Sequence, residues 1–255
     1  MYSNISGGLI FAGQTYGEML FSKVSLEHYV DFFNAKDLDI LCLSEVHLEN
    51  ERDSEMVAHL ASKLKLPHHA TLALSASHLD TSKQLGMAVI SRYPILRQER
   101  FTIPSPGLEI DRPNGDHWKM FDKGAQRVYM DIHGTTVAIV NFSYFPFHHF
   151  KRRVVEPEFK PLREQLLSIL LAEGDTPTIV TGDFNCQGYA VSEAFPELFE
   201  QPALAQAVRT QTTVVGATEE LDHILYQPQY FRSTQGFAEK NGSDHLAIGA
   251  TIQLR

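Results

Sequence analysis

Only two cysteines, Cys42 and Cys186, occur in 255 residues, so no dense disulfide framework holds this chain and at most one bridge could form. Cys42 lies in an apolar run and reads as a small core residue. Two further features are missing: an apolar stretch of the roughly 18 residues that a membrane span needs, and a charged-then-apolar leader. The expectation is a cytoplasmic protein with no membrane span and no obligate protein partner. Basic residues are also in deficit, 22 Lys and Arg against 31 Asp and Glu, for a net charge of -9. No global positive field is therefore available to hold a polyanion by counterion release. That weakens nucleic acid as a substrate, although a local basic strip could still seat a phosphate. Repeats and low-complexity runs are absent as well.

What is present is core-forming material: 43% hydrophobic and 10% aromatic residues, enough to bury a substantial interior in one domain spanning 1–255. Apolar residues at helical spacing behind Ser25 predict a helix to Phe33, and Ser54 to Lys65 predicts a second. The short apolar run Leu38 to Leu43 reads as a strand covered on both faces. Further strands are expected over His69–Ser75, Leu85–Ser91, Ile95–Phe101, Gln126–Ile132 and Thr136–Phe142. Between them, Ile103 to Lys123 carries Pro104, Pro106, Pro113 and Asn114-Gly115 and reads as a long functional loop. A helix over Pro161–Leu171, stopped by Gly174, leads to a strand at Thr178–Val180, with the last strands at Leu221–Tyr226 and Leu246–Ile252.

Polar chemistry gathers at strand ends. The strand from Thr178 stops on Gly182-Asp183-Phe184-Asn185, where an acid and an amide two residues apart would point the same way. Such a pair can activate a water and hold a phosphate oxygen or the acid itself, although an Asp-x-Asn turn closing a strand is the plainer reading. Leu221-Asp222-His223 opens one late strand and Ser243-Asp244-His245 precedes the other. Glu45 ends an apolar strand, which is costly unless the carboxylate is paired or coordinates a cation.

Together these pieces resemble the endonuclease/exonuclease/phosphatase superfamily, which includes pancreatic-type DNases, abasic-site endonucleases, inositol-polyphosphate phosphatases, deadenylases and bacterial sphingomyelinases. Five segments occur in the family's order: Asn4, the strand Asp39–Glu45, Gly86–Ile95, Gly182–Asn185 and Ser243–His245. The resemblance implies an α/β four-layer α/β/β/α sandwich of two packed mixed sheets, with the site at one edge. It makes Glu45 a metal ligand, with Asn4 and Asp244 completing or supporting the shell. It gives His245 the scissile phosphate, with Asp222 orienting it, and gives Asp183 the attacking water, with Asn185 holding Asp183 and the phosphate. The implied cation is Mg²⁺, with Mn²⁺ as a substitute, because oxygen ligands suit hard ions.

The pattern breaks in two places. Ser44 stands where many relatives carry Gln. After Asn141, Ser143 falls where DNase-type relatives carry His, while Tyr144 with Pro146 matches the Tyr-x-Pro of abasic-site endonucleases. Tyr144 is therefore expected at the phosphate. His148, Arg152 and Arg153 follow in a basic stretch that would seat the substrate. The expected activity is metal-dependent hydrolysis of a phosphate ester, as a phosphodiesterase or nuclease. The alternatives are a phosphomonoesterase or phospholipid-directed enzyme of the same fold, and a degraded member that only binds. Seven site residues in place (Asn4, Glu45, Asp183, Asn185, Asp222, Asp244 and His245) argue against degradation.

Overall fold

A computed structural model describes residues 1–15, 18–112, 115–171, 175–200 and 203–255. The helix stop expected at Gly174 and the loop residues Pro113 and Asn114 lie outside them.

Two six-stranded mixed sheets form the centre. The first contains β1 (Tyr2–Asn4), β4 (Ile40–Leu48), β5 (His68–Ala76), β6 (Gln84–Ser91), β15 (Phe231–Lys240) and β16 (Leu246–Leu254), in the order β15-β16-β1-β4-β6-β5. The second contains β7 (Ile95–Ile103), β10 (Lys123–Ile132), β11 (Thr135–Ser143), β12 (Thr178–Asp183), β13 (Ala205–Gln206) and β14 (Asp222–Tyr226), in the order β13-β14-β12-β11-β10-β7. Each sheet has one parallel pair, β1 with β4 and β11 with β12, and is otherwise antiparallel. Two hairpins stand apart: β2 (Leu9–Thr15) with β3 (Glu18–Val24), and β8 (Glu109–Asp111) with β9 (His117–Lys119). The second hairpin lies within the expected Ile103–Lys123 loop.

The sheets pack face to face through Tyr2, Cys42, Val89 and Ile248 of the first and Val128, Met130, Ile139 and Ile224 of the second. Asn141 pins them together, since its Nδ2 donates to Leu43 O at 2.9 Å and Ala88 O at 3.1 Å across the interface. A buried amide satisfied in this way fixes register between layers that apolar packing alone would let slide. Helices α1 (Leu26–Asn34) and α2 (Glu55–Leu64) cover the outside of the first sheet with Tyr29, Val30, Phe33, Val57 and Leu60. Ser54 caps α2 by accepting from Val57 N at 3.1 Å, as a serine ahead of an apolar period should. On the second sheet, α3 (Lys160–Leu170) and the short α4 (Val191–Ala194) pack on a cluster rich in phenylalanine. The result is the α/β/β/α sandwich with two mixed sheets. Both cysteines are buried and free. Among the described residues, no helix is long and apolar enough to cross a membrane.

Topology sets where chemistry can gather. The parallel pairs bring the C-terminal ends of β1, β4, β11 and β12 to one end of the sandwich. Their antiparallel neighbours β10, β14 and β16 begin there.

Candidate active site

In the second sheet Asp183 pairs directly with Ser143 on β11 and with Asp222 on β14. Directly paired residues share a face, so the three side chains form a row across the sheet. His223, one residue on, turns to the other face and packs edge-on against Phe184. The hydroxyl of Thr213, buried in the preceding loop, accepts the amides of Leu221 at 2.9 Å and Asp222 at 3.1 Å and so sets the start of β14. No sequence signal marks Thr213, a threonine within a polar run.

The strand ends at Asp183, and Asn185 is not in extended chain: its φ is 53°. This left-handed turn folds the amide back so that Asn185 N donates to Asp183 Oδ1 at 2.8 Å and Nδ2 donates to Oδ2 at 2.9 Å. The second Nδ2 hydrogen goes to Tyr144 O at 2.9 Å. Both side-chain donors are thereby committed, so Asn185 orients Asp183 and has no N–H left for a phosphate. Gly182 sits so close to β11 that an added Cβ would meet Phe142 O at 2.3 Å, which explains the glycine before the acid.

Across the sandwich, His245 Nδ1 lies 2.7 Å from Asp222 Oδ2, leaving Nε2 to face outward. The buried polar atoms of Asp183, Asp222 and His245 converge within 4.8 Å of one another. Burial and the negative charge of Asp222 push the Asp183 carboxyl up to about 7. For His245, burial opposes the charged form, but the adjoining Asp222 outweighs it and holds the imidazole well above its ordinary 6.5. The pair is thus an imidazolium held by a carboxylate. Asp222→Asn is expected to bring the His245 titration, followed by NMR of the ring, down to or below 6.5. An unchanged titration would contradict the ion pair.

Glu45 occupies a β-bulge in β4, where the register with β6 slips between Ser44 and Val46 and φ reaches 52°. A left-handed glutamate in a strand costs on the order of 1–3 kcal/mol and re-aims the side chain. Its half-buried carboxylate has no hydrogen-bond or ion-pair partner among the described residues. Neighbouring Asn4 pairs in register with Ser44. Its Oδ1 accepts Ser6 N at 2.9 Å, and the Ser6 hydroxyl donates to Asp244 Oδ1 at 2.8 Å. Ser44 takes up a role of its own, sharing a 2.7 Å hydrogen bond with the fully buried Tyr2 Oη. Among the described residues Glu45 has a carboxylate without a partner, Asp244 keeps Oδ2 uncommitted and Asp222 Oδ1 is buried without a partner, oxygens of the kind that suit a hard divalent cation, whereas Asn4 Oδ1 is already held by Ser6.

Three expected residues lie elsewhere. Alternation along β11 turns Tyr144 to the side opposite Ser143, and its ring is wholly buried against Phe145, Phe147 and Phe195. Its hydroxyl has no partner there, and burial drives the phenol far above its usual range. Tyr144→Phe is accordingly expected to leave turnover unchanged and to be neutral or stabilising by up to about 1 kcal/mol. A rate loss of tenfold or more in a steady-state assay would restore the phosphate contact. Arg152 is spent on Glu156 and Glu158, and Arg153 reaches Glu193 at 3.2 Å over the Tyr189 ring. His148 does approach the cleft: its ring meets the Asn185 backbone and feels His245, and burial pushes it down to about 4, so it is neutral. The residue missed in sequence is Lys123, whose Nζ points to Ser143 Oγ at 3.4 Å. A cavity of about 610 Å³ opens at the other end of the sandwich, between Ile40, Ile132 and Leu254, away from the acids.

The Endonuclease/Exonuclease/phosphatase family model matches residues 1–245. Among solved structures, an endonuclease/exonuclease/phosphatase from Beutenbergia cavernae superposes with a TM-score of 0.67 at 17% identity, over 99% of this chain and 70% of that one. The human nocturnin catalytic domain gives 0.60 at 15%, covering 90% and 86%. A mannosyl-6-phosphatase from Bacteroides thetaiotaomicron gives 0.56 at 15%, covering 89% and 91%. Against curated proteins the sequence finds no match. At such identities the likeness to solved structures establishes the fold alone.

Proposed function

The chain belongs to the endonuclease/exonuclease/phosphatase family, and on that premise we propose that it is a divalent-cation-dependent phosphodiesterase. The observation that carries this reading is the row of Asp183 and Asp222, with His245 closing on Asp222 at 2.7 Å. It stands at the same end of the sandwich as the strained, unpartnered Glu45.

Glu45, Asn4 and Asp244 would hold the cation, Mg²⁺ or Mn²⁺. When bound, it would polarise the phosphoryl group and lower the cost of charge that builds on it. Asp183, steadied by both amides of Asn185, takes a proton from the attacking water. Its upward-shifted carboxyl is a better base than an ordinary aspartate near neutral pH. His245, kept charged by Asp222, donates an Nε2–H hydrogen bond to a phosphate oxygen as the P–O ester bond breaks; the departing alkoxide takes a proton from solvent and Asp183 returns its own to solvent. Asp222 keeps the ring in that orientation while its own carboxylate remains ionised.

A diester rather than a monoester is proposed as substrate, and nucleic acid is one diester among several. Purified protein with Mg²⁺ or Mn²⁺ should be assayed against bis(p-nitrophenyl) phosphate, p-nitrophenyl phosphate, plasmid DNA and phospholipid head groups. Faster turnover of the simple diester than of the monoester supports the proposal. Preference for the monoester would reassign the enzyme to the phosphatases.

A further inference from the structure

The described residues contain three half-buried lysines, and two are neutralised: Lys36 lies against Glu239 at 2.6 Å and Lys83 against Glu49 at 2.8 Å. The third, Lys123, has no carboxylate within 4.0 Å among the described residues; its printed contact is the 3.4 Å approach of Nζ to Ser143 Oγ. A partly desolvated ammonium with no counter-ion is unfavourable, so its position calls for an anion.

Location identifies the anion. Lys123 opens β10, where the next residue, Gly124, pairs with Ser143, and Ser143 pairs with Asp183. Across the sheet the paired row therefore runs Asp222 with its His245, Asp183, Ser143 and Gly124, and Lys123, the residue before Gly124, brings its Nζ to within 3.4 Å of Ser143 Oγ. One cation stands on each side of the proposed base. No carboxylate of the row reaches Lys123 within ion-pair distance: the Asp183 oxygens are turned to Asn185 and Asp222 Oδ2 to His245. A tetrahedral oxyanion set over Asp183 would meet Nε2–H of His245 on one side and Nζ of Lys123 on the other. The Lys123 charge is felt at Asp183, so the two groups share one electrostatic environment.

We propose that Lys123 is a phosphate-binding residue of this site, its ammonium steered by the Ser143 hydroxyl onto a non-bridging oxygen of the scissile phosphate. The inference rests on the phosphoesterase reading for the identity of the ester. It needs only an oxyanion for the site.

Calorimetric titration of the full-length protein with inorganic phosphate in the presence of Mg²⁺ tests it. Lys123→Met is expected to weaken phosphate binding about 10- to 100-fold and Lys123→Arg to stay within about threefold of wild type, as for loss or retention of one charge-assisted hydrogen bond. Because Lys123→Met removes a partly desolvated charge that has no ion pair to lose, the variant should unfold at or above the wild-type temperature. Should it not fold, Lys123→Gln serves in its place. Equal affinity in wild type and the neutral variants would overturn the proposal, as would a wild type that binds no phosphate. Lysine-dependent phosphate binding without hydrolysis of any ester would uphold the anion site and overturn the phosphodiesterase reading instead. With hydrolysis present, the neutral variants should raise KM for the diester more than they lower kcat.

Discussion

Glu45→Gln is expected to cut cation-dependent turnover by at least about 10³, with no recovery at saturating Mg²⁺, while leaving the fold intact. The substitution keeps size and removes one charge from the proposed cation site. Its position explains why the effect should be so clean. Glu45 sits at φ 52° in a bulge and holds no partner among the described residues, so no internal contact is lost with its charge. Thermal unfolding without divalent cation should therefore be unchanged or slightly higher. The stabilisation that Mg²⁺ gives the wild type should vanish, because a ligand stabilises only the state that binds it. Near-wild-type turnover of the variant at saturating metal would remove Glu45 from the cation site.

Asp183→Asn and His245→Ala should each lower kcat by on the order of 10² or more, with little gain from added metal. The first substitution removes the proposed base, and the second removes the proposed donor to the phosphate. The pH profile separates the two. Since the Asp183 carboxyl is raised to about 7, it is increasingly protonated and inactive as pH falls through that value. A bound cation can only move the inflection lower. The wild-type rate should thus rise from acid toward neutral pH, and this acid limb should be absent from the residual rate of Asp183→Asn. Raised folded-state values for both groups also mean that their contribution to stability is fully present at low pH. It is lost as pH rises through their folded values. Rescue of either variant by excess Mg²⁺ would reassign that residue to the metal shell.

Much of this was legible because strand ends and topology carry it. The apolar run before Glu45, the strand closing on Gly182-Asp183-Phe184-Asn185 and the acid-histidine pair before the last strand are local signals, and the fold brings them to one end. What local signals cannot show is a backbone that departs from its period. The bulge at Glu45 and the left-handed Asn185 are invisible in residue types, yet they decide where a carboxylate and an amide point. Tyr144 shows the opposite error: simple alternation from the inward-facing Asn141 assigns Ser143 to the cleft and Tyr144 to the core, and the borrowed Tyr-x-Pro spacing overrode it. Arg152 and Arg153 looked available because their glutamate partners, nearby or 40 residues on, cannot be chosen from composition. The hairpin β2–β3 and the largely exposed edge strand β15 were missed because neither shows a clean apolar alternation. In the sequence Lys123 stands at the end of a loop, and only the pairing of β10 with β11 and the reach of Nζ to Ser143 bring it beside the acids.

Protein stripped with EDTA and assayed against bis(p-nitrophenyl) phosphate as Mg²⁺ is returned gives the most direct reading of the site. The proposed chemistry predicts no hydrolysis in EDTA and saturable recovery in the wild type, with Asp183→Asn flat across the same titration. Hydrolysis that persists without divalent cation, or a wild type that stays silent at every Mg²⁺ concentration with Mn²⁺ no better, would contradict it.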